Sequence, residues 1–226
     1  MIRLYAAQVS GAIRASFADR ANFVIQIAGM VLNNVVFLTL WVMFFAGFKS
    51  LGGWRFADMA LLIGLIMTIM GLTAVFFGGY RDLAVHILRG ELDALLTQPK
   101  GLIPRLLARE SNPAGWGDIG GGLVILIFCA GLEARDLPLT LLALGCGLIV
   151  YLSVAIAFAT LGFWMAGART FSRDLADFTL LFSTQPGSIF QGLTKVVAFT
   201  VLPAGFIVIL PVSLLRDPAP ETAGVL

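Results

Sequence analysis

The chain has 226 residues, of which 59% are hydrophobic and only 12% charged, with a formal net charge of +2. A water-facing surface needs about 25% charged residues, so a soluble globular domain is excluded, and no nucleic-acid partner is expected. Charge is absent altogether from Ala21 to Phe48, from Met59 to Tyr80 and from Leu137 to Ala168. Each stretch exceeds the roughly 20 residues with which an α-helix crosses about 30 Å of hydrocarbon. The reading is an all-α, polytopic transmembrane helix bundle forming one domain, residues 1–226.

The first 20 residues hold Arg3, Arg14, Arg20 and Asp19 with no compact apolar core, so no cleavable signal peptide is expected. Ile2, Tyr5, Val9, Ile13 and Phe17 recur at helical spacing, with Arg3 and Arg14 on the other side. This pattern predicts an amphipathic helix over 1–20 lying in the membrane interface, a soluble amphipathic helix being the plainer alternative. Five spans are predicted, at Phe23–Phe45, Met59–Phe77, Trp116–Leu132, Leu139–Met165 and Val196–Leu215. The third is short and glycine-rich, but Gly117 and Gly121 form a small-xxx-small pair suited to close packing. Pro203 and Pro211 predict a kink or break in the fifth. Pro218, Pro220 and the apolar residues after them read as the approach to a sixth span.

With the N-terminus inside, eleven Lys and Arg fall in inner segments: Arg3, Arg14, Arg20, Arg81, Arg89, Lys100, Arg105, Arg109, Arg169, Arg173 and Lys195. The outer segments hold four, Lys49, Arg55, Arg135 and Arg216. The bias predicts a cytoplasmic N-terminus in an inner (plasma) membrane.

Enzyme motifs are absent. His86 is the single histidine and reads as a solvated surface residue beside Arg81, Asp82 and Arg89. No G-x-x-x-x-G-K-[ST] phosphate loop occurs, and Gly120–Gly122 reads as helix packing. Cys129 and Cys146 lie in apolar segments without metal-like spacing and read as small apolar filler. Asp58 and Asp118 sit only at span ends, so no ionisable residue is expected at mid-span, where proton and cation pathways place one. Among uncharged polar residues, Asn33 and Asn34 in the first span and Thr68 and Thr73 in the second are candidates for a substrate path. Ser153 and Thr160 in the fourth share that reading, and helix–helix hydrogen bonding is the alternative for all six.

The inner connection, residues 80–115, is long for a bundle, where 2–8 residues are common. Leu88, Leu92, Leu95 and Leu96 make an apolar stripe broken by Gly90 and stopped by Pro99, flanked by charges of both signs. A short amphipathic helix of this kind suits docking onto another protein. Here Ile87-Leu88-Arg89-Gly90-Glu91-Leu92-Asp93-Ala94-Leu95-Leu96-Thr97-Gln98-Pro99 resembles the R-G-E-L-D-x-x-L-x-x-P loop of type-2 ABC exporter permeases. Gly117-Asp118-Ile119-Gly120 resembles the start of that family's third helix. The stretch from Gln185-Pro186-Gly187-Ser188-Ile189-Phe190 through Leu202-Pro203 to Leu210-Pro211 resembles its fifth-helix region.

The resemblance implies six membrane helices per subunit and a permease homo- or heterodimer. It also implies two separate ATP-binding subunits, which would hold ATP and magnesium and dock on a coupling helix. That role falls on Gly90–Pro99, with Arg89, Gly90, Glu91, Leu92, Asp93, Leu95 and Pro99 as coupling residues. Glu91 and Asp93 would be polar contacts, and Leu92 and Leu95 apolar anchors. The function implied is export or efflux of an amphipathic or hydrophobic substrate, with no cofactor on this chain. A self-contained secondary carrier or channel subunit and a non-transporting membrane scaffold are the alternatives.

Overall fold

A computed structural model describes residues 2–92, 97, 101–165 and 168–216. The predicted coupling positions Asp93, Leu95 and Pro99, and also Lys100, Pro218 and Pro220, lie outside that set. The described residues are helical and contain no strand. In chain order the α-helices are α1 (Ile2–Ser16), α2 (Arg20–Gly47), α3 (Phe56–Phe76), α4 (Leu83–Leu88), α5 (Leu102–Leu107), α6 (Ala114–Val124), α7 (Leu137–Ala159), α8 (Ala168–Ser183), α9 (Leu193–Thr200) and α10 (Leu210–Arg216). Short 3-10 and π turns join several of them; α6 continues as a π segment through Cys129, and another, Gly205–Ile209, leads into α10.

Three helical stretches are long and apolar enough to cross a membrane: Arg20–Gly47, Phe56–Phe76 and Ala134–Phe163. They correspond to the first, second and fourth predicted spans. The third predicted span is a shorter apolar helix, Ala114–Cys129, whose 16 residues rise about 24 Å.

Phe56–Phe76 is the hub. Nearly every residue of α3 is buried, whereas α2 is exposed along most of its length. An apolar helix has no hydrophobic drive to leave lipid for another helix, so its packing depends on how closely the two backbones can approach. Here glycines set that approach. Gly71 faces Gly115 and Gly64 faces Gly122; a Cβ at Gly71 would stand 2.6 Å from the Gly115 carbonyl oxygen, and one at Gly122 would stand 2.8 Å from that of Gly64. The same short helix turns Gly117 and Gly121 toward Ile27, Met30 and Asn34 of α2. The α6 helix is therefore small on two sides and is clamped between α2 and α3.

The bundle has two distinguishable ends. At one, the Tyr5 hydroxyl of α1 donates to the Phe76 carbonyl at the close of α3 (2.7 Å), and burial pushes its pKa up to about 12. At the other, the Gly52-Gly53 turn joins α2 to α3 through the Leu51–Trp54 bridge. Arg216 there pairs with Asp58 (2.9 Å), donates to the Gly53 carbonyl (3.1 Å) and lies over the Trp54 ring.

These landmarks correct the last third of the predicted topology. The helix α8, placed by sequence in an inner connection, begins at the α1 end, where Arg173 binds the Arg81 carbonyl and the Asp82 carboxylate. It packs along α7, and the chain after it reaches the opposite end, where the Ser188 hydroxyl meets the Leu51 carbonyl (3.5 Å). The break predicted in the fifth span is present: Leu193–Thr200 and Gly205–Arg216 form a pair bent by 78°. Ile207 meets Gly147 midway along α7, while both flanks, Ser188 and Arg216, lie at the Leu51–Asp58 end. The pair thus enters and leaves by one end. Pro203 removes a backbone donor at the bend.

Two outcomes check this architecture. Gly71→Ala should cost about 1–3 kcal/mol through overpacking, read as a lowered thermal midpoint in detergent, while Gly120→Ala, whose Cβ would meet nothing within 4 Å, leaves the midpoint unchanged. In a background with Cys129 and Cys146 changed to Ser, Ser188→Cys and Ser213→Cys should both react with an impermeant maleimide from the same side. Ser10→Cys should react only from the other.

Candidate functional site

The recognisable loop begins where α4 ends. Arg89 donates its backbone N–H to the Val85 carbonyl (3.0 Å), and Gly90 follows at φ +68°. A left-handed residue just past a helix C-terminus is a glycine position, because a Cβ there collides with the backbone. The chain reverses, and Glu91 and Leu92 start a new helical turn. Leu92 is buried at 7% exposure in a small core with Leu83, Ala84, Leu106 and Ala159, bordered by Ile87, Leu102 and Ile156. This core joins the loop to α4, α5 and the end of α7.

Glu91 folds back over the same turn. His86 lies 2.7 Å from its Oε2 through Nδ1, while Arg109 and Arg89 approach at 3.7 and 3.8 Å. His86 is accordingly not the solvated residue expected from sequence: its side chain is only 15% exposed. The hydrogen bond from His86, helped by the charges of His86, Arg89 and Arg109, lowers the Glu91 pKa below its ordinary value of 4.5. Arg89 points outward, with its side chain 68% exposed.

Beside this loop, at the same end, lies a half-open cleft of about 290 Å³ between the close of α3, α4, α7 and α8. Four alanines, Ala84, Ala155, Ala159 and Ala176, leave the space empty. Its polar wall is Tyr80, Arg81, Tyr151, Ser172, Arg173 and Asp177. The Tyr80 and Tyr151 hydroxyls share a hydrogen bond of 3.0 Å, and the Arg81 Nε donates to the Tyr80 oxygen at 3.3 Å.

A family model described as ABC-2 family transporter protein matches residues 31–219. The chain belongs to this family. Comparison with curated proteins and with solved structures returned no match. The ABC-2 family match covers α2 through α10 and both the loop and the cleft just described.

The predicted path residues of this ABC-2 membrane protein do not converge on one cavity. Asn34 is buried and donates to Asp118 (3.0 Å) and toward the Gly117 carbonyl (3.5 Å), tying α2 to α6. It also lines an apolar groove of about 430 Å³ on the outside of that pair. Asn33 is on an exposed face, where its amide donates to the Met30 sulfur (3.9 Å). Thr68 and Thr73 are buried and return their hydroxyls to the Gly64 and Ile69 carbonyls of their own helix, each at 2.7 Å.

Sequence reasoning missed the cleft because it treated α8 as a connection. The signal was present: Ser172, Ala176, Thr179, Leu180 and Ser183 recur at helical spacing and are all buried. Arg173, Asp174 and Asp177 lower the average hydropathy of the helix below that of a span. Asp177 lies about 13 Å along α8 from Ala168, in a helix that is not among the stretches long and apolar enough to cross a membrane.

The Glu91 clamp carries a pH signature. Because the folded pKa is lowered, the contact contributes stability fully above the ordinary carboxylate value and loses it as pH falls through the lowered one. Hydrogen-exchange protection of residues 83–92 should therefore persist through pH 4.5 and fall only on further acidification. Glu91→Gln should abolish that acid transition.

Proposed function

We propose that this chain is the membrane-spanning permease subunit of an ATP-driven ABC exporter, moving an amphipathic or hydrophobic molecule with energy from a separate ATP-binding subunit. The observation that carries the reading is the loop at Arg89-Gly90-Glu91-Leu92 within an ABC-2 family chain: it is rigidly closed on the inside, by Leu92 and Glu91, and presents Arg89 outward. ATP and magnesium belong to the partner subunit, and a second permease subunit completes the transporter. The N-terminus and this loop face the cytoplasm. After Lys195 is moved to the far side with α9, ten of the fifteen Lys and Arg still fall on the α1 side by chain position.

The mechanical path is short. A push on Arg89 moves the Leu92 core, which contains Ala159 of α7 and Leu83 and Ala84 of α4. The preceding turn carries Arg81 and Asp82, to which Arg173 of α8 is bound. One movement of the partner thus reaches α3, α7 and α8, the helices around the cleft. A driven change of access needs a ligand with different affinity in the two states, and a cleft whose walls move with the loop supplies that difference. In this reading Asn34 serves helix association, and Thr68 and Thr73 satisfy carbonyls of their own helix.

The test uses the exposed member of the motif. Arg89→Glu should reduce co-purification of the neighbouring ATP-binding protein at least about tenfold, through loss of a charge-assisted contact. Surface substitutions of this kind change stability by no more than about 0.5 kcal/mol, so the thermal midpoint should hold. Undiminished co-purification with Arg89→Glu would remove this docking site; no ATPase bound by the unaltered chain would favour a secondary carrier.

A further inference from the structure

We propose that the alanine-floored cleft binds a small zwitterionic headgroup, with its anionic group on Arg81 and its cationic group on Asp177. The inference rests on the transporter reading and names the class of molecule this site takes.

Two opposite charges on the cleft wall, Arg81 and Asp177, make no direct contact with each other. Arg173 and Asp177 are four residues apart on α8, a spacing that normally joins opposite charges along a helix face. Arg173 is instead drawn across to the Asp82 carboxylate and the Arg81 carbonyl. Asp177 stands on the cleft wall with no hydrogen bond or ion pair to a described residue, and Arg81 hydrogen-bonds the Tyr80 oxygen while feeling the Asp177 charge across the cleft without direct contact. Asp177 is exposed on the cleft wall, where its carboxylate is open to a ligand.

Opposite charges on one small cleft select against simple ions. A purely anionic group attracted to Arg81 meets Asp177, and a purely cationic group attracted to Asp177 meets Arg81. A molecule carrying both satisfies both. The Tyr80 and Tyr151 hydroxyls between them add donors and acceptors suited to a phosphate or carboxylate oxygen. The volume, about 290 Å³, lies at the lower edge of the ~300–1,000 Å³ of small-molecule sites. It takes a headgroup and leaves an apolar tail outside, where Phe171 and Phe178 of α8 are exposed.

The experiment is native mass spectrometry of the full-length chain, purified without an ATPase partner. It would be equilibrated with phosphatidylcholine, phosphatidylethanolamine, phosphatidylglycerol or a trimethylammonium-propane lipid. The unaltered chain should retain the two zwitterionic lipids about tenfold better than the anionic or cationic one, as the loss of one charge-assisted contact implies. Asp177→Asn should shift the preference to phosphatidylglycerol, and Arg81→Gln should shift it to the cationic lipid. The double variant Arg81→Asp with Asp177→Arg should restore the zwitterionic preference, an outcome that misfolding does not produce. Soluble glycerophosphocholine distinguishes the source: displacement of bound lipid marks a free zwitterion as the ligand, and persistence marks a lipid. Equal retention of all four lipids by the unaltered chain, or variants that lose all lipids alike, would overturn the proposal. Because no ATPase is present, that failure leaves the docking test untouched, and a failed docking test leaves the headgroup measurement standing.

Discussion

The architecture depends on the contact between α3 and α6, where glycine faces glycine twice. In lipid, leucine against leucine brings no advantage over leucine against an acyl chain, so association comes from close dispersion contact between backbones. Gly64, Gly71, Gly115 and Gly122 allow that approach, and the Asn34–Asp118 hydrogen bond adds α2 from the other side. With α6 held this way, α3 becomes the buried centre of the bundle. Its two ends then become fixed points: Phe76 toward the turn that leads into α4, Asp58 toward the bent pair α9 and α10.

From that centre the loop gains its shape. The 3-10 turn after α3 presses its glycines against the Leu106 and Glu110 carbonyls, which brings α5 under α4. The Leu92 side chain then completes a core that no single element contains. The R-G-E-L motif thus reads as local chemistry: a glycine to reverse the chain, a glutamate to lock the reversal, a leucine to anchor it, and an arginine left facing out. Closure of the loop and the exposure of Arg89 come from the same four positions.

Much of this was legible in the sequence, for definite reasons. Long uncharged stretches identified α2, α3 and α7, because hydropathy over about 20 residues is a strong signal. The loop motif identified the family, and the Gly117–Gly121 pair marked close packing. Less legible was the path of the chain after residue 165. The α8 helix carries Arg173, Asp174 and Asp177; Arg173 is bound by Asp82, distant in sequence, and Asp177 faces a cleft. Hydropathy has no access to such partners. Conversely, Val196–Leu215 is apolar enough to imitate a span, although Ser188 and Arg216 both lie beside the Leu51–Asp58 turn. His86 was misread for the same reason, since its burial depends on Glu91 being folded back by Gly90.

The central claim is that force applied at the loop reaches the cleft. The direct measurement is the reactivity of a cysteine at Ala176, on the cleft wall, in a cysteine-free chain reconstituted with its ATP-binding partner. The account predicts that the labelling rate changes when a non-hydrolysable ATP analogue closes the partner, and that Arg89→Glu removes the change. A labelling rate indifferent to nucleotide, in a preparation that still hydrolyses ATP, would contradict it.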